Sequence, residues 1–256
     1  MLRFFYSQLS SAKPLQILSI TGAEGHHAAD VLRAQPGEKI ELLDGHGTIA
    51  ECHVTACQHG SIQCQIISIN KLQPPAHSIV LAQSLLKGKN FELVIEKTVE
   101  LGVSKIVPIL TQRTVTRLEH KDLDSKILRW SNIARETLKQ CGGAWLPEIS
   151  PPLALFEFIK TFKSNSLLTA AVITSSCLRP DQILAKTNER PGNIPSNVVI
   201  LIGPEGDFSP QELEFMTKND VQFFSLGDRI LRAETAAIVA VGVFLHELEK
   251  IKHSPD

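Results

Sequence analysis

Apolar and polar positions change rhythm once along this chain, near residue 72. Before that point the apolar residues fall in short alternating stretches. Ile40-Glu41-Leu42-Leu43 runs into Asp44-Gly45-His46-Gly47, a strong turn signal. Thr48 to Val54 alternates, and Ser61 to Ile69 reads polar/apolar at period two over much of its length. Gly25 to Arg33 predicts one short helix, ended before Pro36-Gly37. Several short strands, tight turns and a single helix predict a small barrel.

Lys71-Leu72-Gln73-Pro74-Pro75-Ala76 reads as a linker, because its prolines deny both helix continuation and sheet donors. Beyond it, strand and helix patterns alternate. Ser78 to Gln83 predicts a strand, Asn90 to Leu101 a helix closed by Gly102, and Lys105 to Leu110 a second strand. Pro108 within that strand predicts an edge or a strand end. Asp124 to Gln140 predicts a long helix stopped by Cys141-Gly142-Gly143, Leu167 to Ile173 a strand, and Ala185 to Asn197 a loop. Such alternation predicts an α/β domain, with a mainly parallel sheet covered on both faces.

The last quarter carries the candidate chemistry. Val198 to Ile202 predicts a strand, followed by Gly203-Pro204-Glu205-Gly206-Asp207-Phe208 and then Ser209-Pro210-Gln211-Glu212, a capping box with proline at the first helical position. Gly203 and Gly206 give the backbone freedom for positive φ or for close approach to a ligand, and Pro204 stiffens the turn between them. This loop is neither GxGxxG nor GxxxxGK[ST], which disfavours a dinucleotide or a P-loop nucleotide. Val221 to Leu226 ends in a second loop, Gly227 to Thr235, that sets Arg229, Arg232 and Glu234 beside a glycine turn. Two arginines there can hold an anionic ligand or stabilise developing negative charge. The structural alternative is that they pair with Glu205 or Glu234. The run Ala236 to Leu245 is apolar on almost every side, so it must be buried in the core or against another subunit.

Composition narrows the class. The 256 residues are 43% hydrophobic and 21% charged, as in a soluble globular protein. No apolar run approaches the length of a membrane span, so no membrane partner is expected. The net charge of −1 hides a gradient: −1 over residues 1–72, +4 over 73–165 and −4 over 166–256. A basic middle can bind phosphate even in a neutral chain. Lys87-Gly88-Lys89, Arg113, Arg117, Arg129 and Arg135 lie in that stretch, where solvated side chains are the competing reading. The five cysteines are odd in number and lack CxxC spacing, which suits a reducing cytoplasm. Cys52, His53, Cys57, His59 and Cys64 lack the paired spacing of a metal site, and no metal is expected.

The two loops together resemble the signature of the ribosomal RNA small-subunit methyltransferase E family of the SPOUT superfamily. The resembling stretches are Ile202 to Ser209 with Glu212, and Leu226 to Ala236. Further matches fall in order along the chain: Arg3-Phe4-Phe5, His26 to Arg33, Gln83, Lys87, Lys97, Glu100-Leu101-Gly102, Arg113, Arg129-Trp130, Glu136 and Gln140-Cys141-Gly142. The resemblance implies a PUA-like RNA-binding β-barrel over residues 1–72 and a trefoil-knotted SPOUT methyltransferase domain over 73–256. It also implies a homodimer, and a cytoplasmic enzyme that uses S-adenosylmethionine to methylate N3 of one uridine in 16S rRNA of the small ribosomal subunit. By the same resemblance the cofactor is held by Ile202, Gly203, Pro204, Glu205, Gly206, Leu226, Gly227, Ile230, Leu231 and Ala236, with Leu168 and Thr169 lining the pocket. RNA is met by Arg3, His27, Arg33, Lys87 and Arg113. Uracil N3 becomes a good nucleophile only after losing its proton, and Arg232 is the expected stabiliser of that anion. The proton goes to Glu234 or to no dedicated base. Two positions depart from the family pattern: Gly143 stands where an arginine is usual, and Asp207 replaces a second glycine. A SPOUT enzyme acting on another RNA, or a non-catalytic RNA-binding assembly factor, are the alternatives.

Overall fold

The computed structural model describes residues 1–116, 120–172, 177–188 and 197–252. They form two compact units. The first is Met1–Pro74 together with Arg135–Leu146, a segment whose sequence rhythm belongs to the α/β half. The second is Pro75–Ala134 with Pro147–Asp256.

The first unit holds β1 (Leu2–Phe5), β2 (Ile17–Ile20), β3 (Lys39–Leu43), β4 (Thr48–Gln58) and β5 (Ser61–Lys71), in the sheet order β1-β3-β4-β5-β2. Only the β1–β3 pair is parallel. The period-two pattern does what it predicts along β4, where Thr48, Ala50, Cys52 and Val54 are buried and the residues between them are less so. Ala50, Cys52 and Val54 pack with Phe4, Leu18, Ile40, Leu42, Ile62 and Ile66. The turn before β4 is held by Asp44, whose Oδ1 accepts from the N–H groups of His46 (2.8 Å) and Thr48 (2.9 Å). The expected helix begins earlier than Gly25, as α1 (Gly22–His26), and continues as a π turn over His27–Val31. Gly25 sits so close to the sheet that a Cβ would lie 2.5 Å from the Ile20 carbonyl oxygen.

The second unit contains β6 (Ser78–Ser84), α2 (Asn90–Leu101), β7 (Lys105–Leu110), the first part of α3 (His120–Cys141), β8 (Glu148–Ile149), β9 (Leu153–Ala154), α4 (Leu155–Phe162), β10 (Leu167–Ala171), α5 (Pro180–Asn188), β11 (Asn197–Ile202), α6 (Pro210–Lys218), β12 (Gln222–Phe224) and α7 (Ala233–Lys252). Its sheet runs β12-β10-β11-β6-β7-β8, with β9 also on β7, and every pairing is parallel. Val80, Ala82, Val199 and Leu201 share a core with Phe158 of α4 and Met216 of α6. On β6 and β11, α7 packs beside α2 and α5. Both ends of α2 and β7 lie where the pattern puts them, and Gly102 closes α2 at φ 97°.

Pro108 is not at the sheet edge. It pairs with Gln83 on one side, and on the other side it faces the break between β8, which pairs with Lys105 and Ile106, and β9, which pairs with Ile109 and Leu110. A residue without an N–H cannot continue that ladder, so the neighbouring strand is interrupted there.

Candidate functional site

A cavity of about 490 Å³ opens at the carboxyl ends of β10, β11 and β12. Ligands of open parallel sheets sit at this end of the strands. Its wall is made by Ala171 and Val172, by Ile202 to Glu205 with Asp207, by Phe224 to Gly227 and by Arg229 to Glu234. Asn90 at the start of α2 and Ala236 on α7 complete it. The volume lies within the usual range for small-molecule sites.

The first loop is shaped from both sides. The capping box forms as its residues predict: the Ser209 hydroxyl accepts from the Glu212 N–H (3.2 Å), and the Ser209 N–H donates to Glu212 Oε2 (2.8 Å). The other oxygen of Glu212 accepts from the Gln112 N–H at 2.8 Å, so this buried carboxylate ties α6 to the segment after β7. The left-handed position in the loop is Asp207, at φ 61°, and not Gly203 or Gly206. Aspartate tolerates that region better than most residues, and its Oδ1 accepts from the Phe208 N–H at 2.7 Å. Gly203 serves close packing instead, since a Cβ there would come 3.3 Å from the Phe208 ring.

The second loop is anchored at both ends by aromatic packing, with Phe224 of β12 edge-on to Phe244 of α7 at 5.1 Å. Both rings are fully buried, and each contributes about 1.5–3 kcal/mol relative to exposure. Gly227 turns at φ 117°, and its N–H donates to the Ser225 hydroxyl at 3.2 Å. Among the described residues, the backbone N–H groups of Leu226, Ile230 and Leu231 have no hydrogen-bond partner in the protein. Unpaired main-chain donors on cavity-lining residues are ready to meet a ligand's acceptors. Arg229 and Arg232 are exposed and, among the described residues, make no ion pair, so the pairing with Glu205 or Glu234 does not form. Glu234 is 9% exposed and lines the cavity.

Ile202, Gly203, Pro204, Glu205, Leu226, Gly227, Ile230, Leu231, Arg232, Glu234 and Ala236 all come together at this cavity. Gly206 does not line it; its carbonyl faces Arg113. Leu168 and Thr169 also lie away from it, buried within β10, where Thr169 donates its hydroxyl to the Val199 carbonyl. The strand reaches the cavity only at Ala171 and Val172, and Ile173 lies outside the described residues. Asn90 and Phe224 carry no motif and enter through fold geometry alone, whereas Asp207 belongs to the first loop.

Of the residues expected to face RNA, Arg3, His27 and Arg113 have protein partners, whereas the side chains of Arg33 and Lys87 are exposed. Arg3 pairs with Glu41 (2.6 Å) and donates to the carbonyls of Lys139 (3.2 Å) and Gln140 (3.0 Å), which caps the end of α3. His27 packs edge-on to Phe4 at 6.4 Å. Arg33 is exposed at φ 54°. The Lys87 side chain is exposed, and its N–H donates to Glu205 Oε1 at 3.0 Å. Arg113 donates to the carbonyls of Gly206 (2.8 Å) and Phe208 (3.3 Å). Arg129 forms a two-point pair with Glu92, and Arg135 lies over the Phe5 ring. Arg117 falls outside the described residues. Among the described residues, no group of three or more His, Cys, Asp or Glu side chains is placed to hold a metal ion.

Comparisons with known proteins converge on one family. An RNA methyltransferase domain matches residues 72–245, and an RNA methyltransferase PUA domain matches residues 20–71. Ribosomal RNA small subunit methyltransferase E of Synechocystis is 31% identical over 88% of this chain and 71% of its own length. The protein of that name in Bacillus subtilis is 28% identical over 91% of each chain. A Legionella pneumophila protein described as a methyltransferase and solved with bound SAM superposes with a TM-score of 0.81, at 29% identity over 96% of this chain and 97% of that one. Ribosomal RNA small subunit methyltransferase E of Neisseria gonorrhoeae has the same fold, with a TM-score of 0.81 at 24% identity over 96% of this chain and 97% of that one.

Proposed function

We propose, since this chain belongs to the RNA methyltransferase family whose relatives are named ribosomal RNA small subunit methyltransferase E, that it methylates N3 of a uridine in 16S rRNA with S-adenosylmethionine. The observation that carries the reading is the cavity at the ends of β10, β11 and β12, where unpaired backbone donors stand beside two unpaired arginines and a nearly buried carboxylate. When bound, S-adenosylmethionine supplies a methyl group activated by its sulfonium. Gly203, Leu226, Ile230 and Leu231 would hold it through the main chain, and the buried Ile202 and Phe224 exclude water from the wall. Arg232 at the rim stabilises the uracil anion left when N3 loses its proton. Glu234 receives that proton, a role supported by its burial among the described lining residues, where Glu205 is exposed. Positioning the two reactants supplies the rest of the acceleration.

The finer architecture belongs to the same proposal. A PUA-like barrel over the first strands accords with the PUA-domain match and the β1-β3-β4-β5-β2 sheet. A SPOUT-type trefoil knot in residues 73–256 accords with a sheet in which β11 lies between β6 and β10. Homodimerisation is supported by α7, where Val239 is 38% exposed and Ile238, Gly242 and Val243 are half-buried. Among the described residues no helix is long and apolar enough to cross a membrane, and a ribosomal substrate would put the protein in the cytoplasm.

Mass-spectrometric mapping of 16S rRNA from cells with and without the protein tests the reading. A uridine N3-methyl mark lost on deletion and restored by the wild-type gene is the expected result. An unchanged 16S rRNA, or a lost mark on a different RNA, overturns it. In the restored strain Arg232→Ala is expected to leave the site unmethylated, while the purified variant still binds S-adenosylmethionine in calorimetry.

A further inference from the structure

The segment that follows β7 is a hydrogen-bonded bracket against the first cavity loop. Its base is a cluster of hydroxyls at the ends of β6 and β7: Thr114 Oγ1 lies 2.9 Å from Ser84 Oγ and 2.8 Å from Thr111 Oγ1, and it accepts from the Thr111 N–H at 3.0 Å. Ser84 is fully buried and Thr111 nearly so. From this base Gln112 reaches α6 twice, through its N–H to Glu212 (2.8 Å) and its side-chain amide to Gln211 (2.9 Å). Arg113 comes next, and its Nη1 donates to the carbonyls of Gly206 and Phe208 on either side of the strained Asp207. The Gly206 carbonyl lies in the peptide plane that enters Asp207 and the Phe208 carbonyl in the plane one residue beyond it, so the two bonds brace the turn from both sides, and with it the wall formed by Glu205 and Asp207.

Only one edge of this guanidinium is used. Arg113 is exposed, and its Nε–H and Nη2 donors have no partner among the described residues. A guanidinium is a planar fork whose free edge matches two phosphate oxygens. We propose that Arg113 is a positioning residue that couples RNA docking to methyl-donor binding, holding the cofactor loop with one edge and an RNA phosphate with the other. A phosphate on the free edge stops the side chain from swinging out, so the loop samples fewer conformations that cannot bind the donor. The coupling is reciprocal, and each ligand raises the affinity for the other by one factor. This rests on the functional reading above.

The test is the dissociation constant of S-adenosylmethionine, measured by equilibrium binding of the radiolabelled donor to wild type, Arg113→Lys and Arg113→Ala. Each protein is assayed alone and with small ribosomal subunits from cells lacking the enzyme. In wild type, subunits are expected to tighten donor binding by about fivefold or more. Arg113→Ala should weaken donor binding without subunits by about tenfold and abolish the tightening. Arg113→Lys keeps the charge but lacks the fork, and it should bind subunits near normally while losing most of the tightening. Wild-type binding that ignores the subunits, or tightening that survives in Arg113→Ala, overturns the coupling and leaves the functional reading standing. Wild-type protein that binds no S-adenosylmethionine at all overturns both.

Discussion

At Gly142 the backbone turns at φ 76°, and a Cβ there would lie 2.8 Å from the Arg3 guanidinium that caps α3. Gly142→Ala would therefore cost the strain of a left-handed alanine and displace the cap, together about 1–2 kcal/mol. Urea unfolding followed by circular dichroism should show the lower midpoint. The neighbouring Gly143, at a position where the resembling family has arginine, lacks that left-handed turn, and a Cβ there would fall 2.4 Å from Leu138 Cδ1, the tip of a side chain. No sequence signal marks Arg3 as a cap, because its carbonyl partners are separated from it by more than 130 residues. Arg113 is the same kind of case. Its basic character suggests RNA, yet its observed bonds go to backbone carbonyls nearly a hundred residues away.

Elements differ in how much of themselves they carry in their own residues. The capping box of α6 is complete in four consecutive residues, so it is legible and its worth is predictable: Ser209→Ala should lower stability by about 1 kcal/mol and shift the thermal midpoint down. α2 and β7 are legible for the same reason, with glycine and periodicity marking their ends. β1 and β2 have four residues each, too few for a pattern to stand out, and β8 and β9 exist only as pairings with β7. The α4 helix does carry apolar positions at helical spacing, with Leu155, Phe158 and Ile159 buried, but the prolines before it mask its start. The cavity divides likewise. Its two glycine loops are visible in the sequence, whereas Val172 and Phe224 join them through the β10–β12 pairing and Asn90 through the start of α2. The short β8 depends on the cross-strand pair of Lys105 and Glu148 at 2.9 Å. Lys105, with help from Ser150 and against a desolvation effect, holds the Glu148 carboxyl below its ordinary value. That stabilisation is present above the unfolded carboxyl's titration and is lost as pH falls through the lower folded value. The Glu148 side chain is 64% exposed, so the gain is well under about 1 kcal/mol. The stability gap between wild type and Glu148→Gln should close as pH is lowered from 7 to 3, and a gap that widens would contradict the assignment.

For the whole molecule, the outward face of α7 predicts the state of assembly. Sedimentation of the wild type should give a dimer, and Val239→Lys, at a position 38% exposed in the single chain, should give a folded monomer. The first unit makes a different demand, since Arg135–Leu146 belongs to it along with Met1–Pro74. Gly47 donates its N–H to the Ala144 carbonyl, and Leu146 donates to Gly45, so the turn before β4 has two of its bonds supplied by that later segment. A fragment of residues 1–74 is expected to exchange the Gly47 amide hydrogen, which loses its Ala144 acceptor, much faster than the full chain. The same arrangement sets a schedule during synthesis. Vectorial growth delivers the first 74 residues early, but their last stabilising piece leaves the ribosome only after residue 146, several seconds later at about 5–20 residues per second. Through that interval the nascent sheet must wait half-built beside the particle that makes it, exposed to chaperones and proteases.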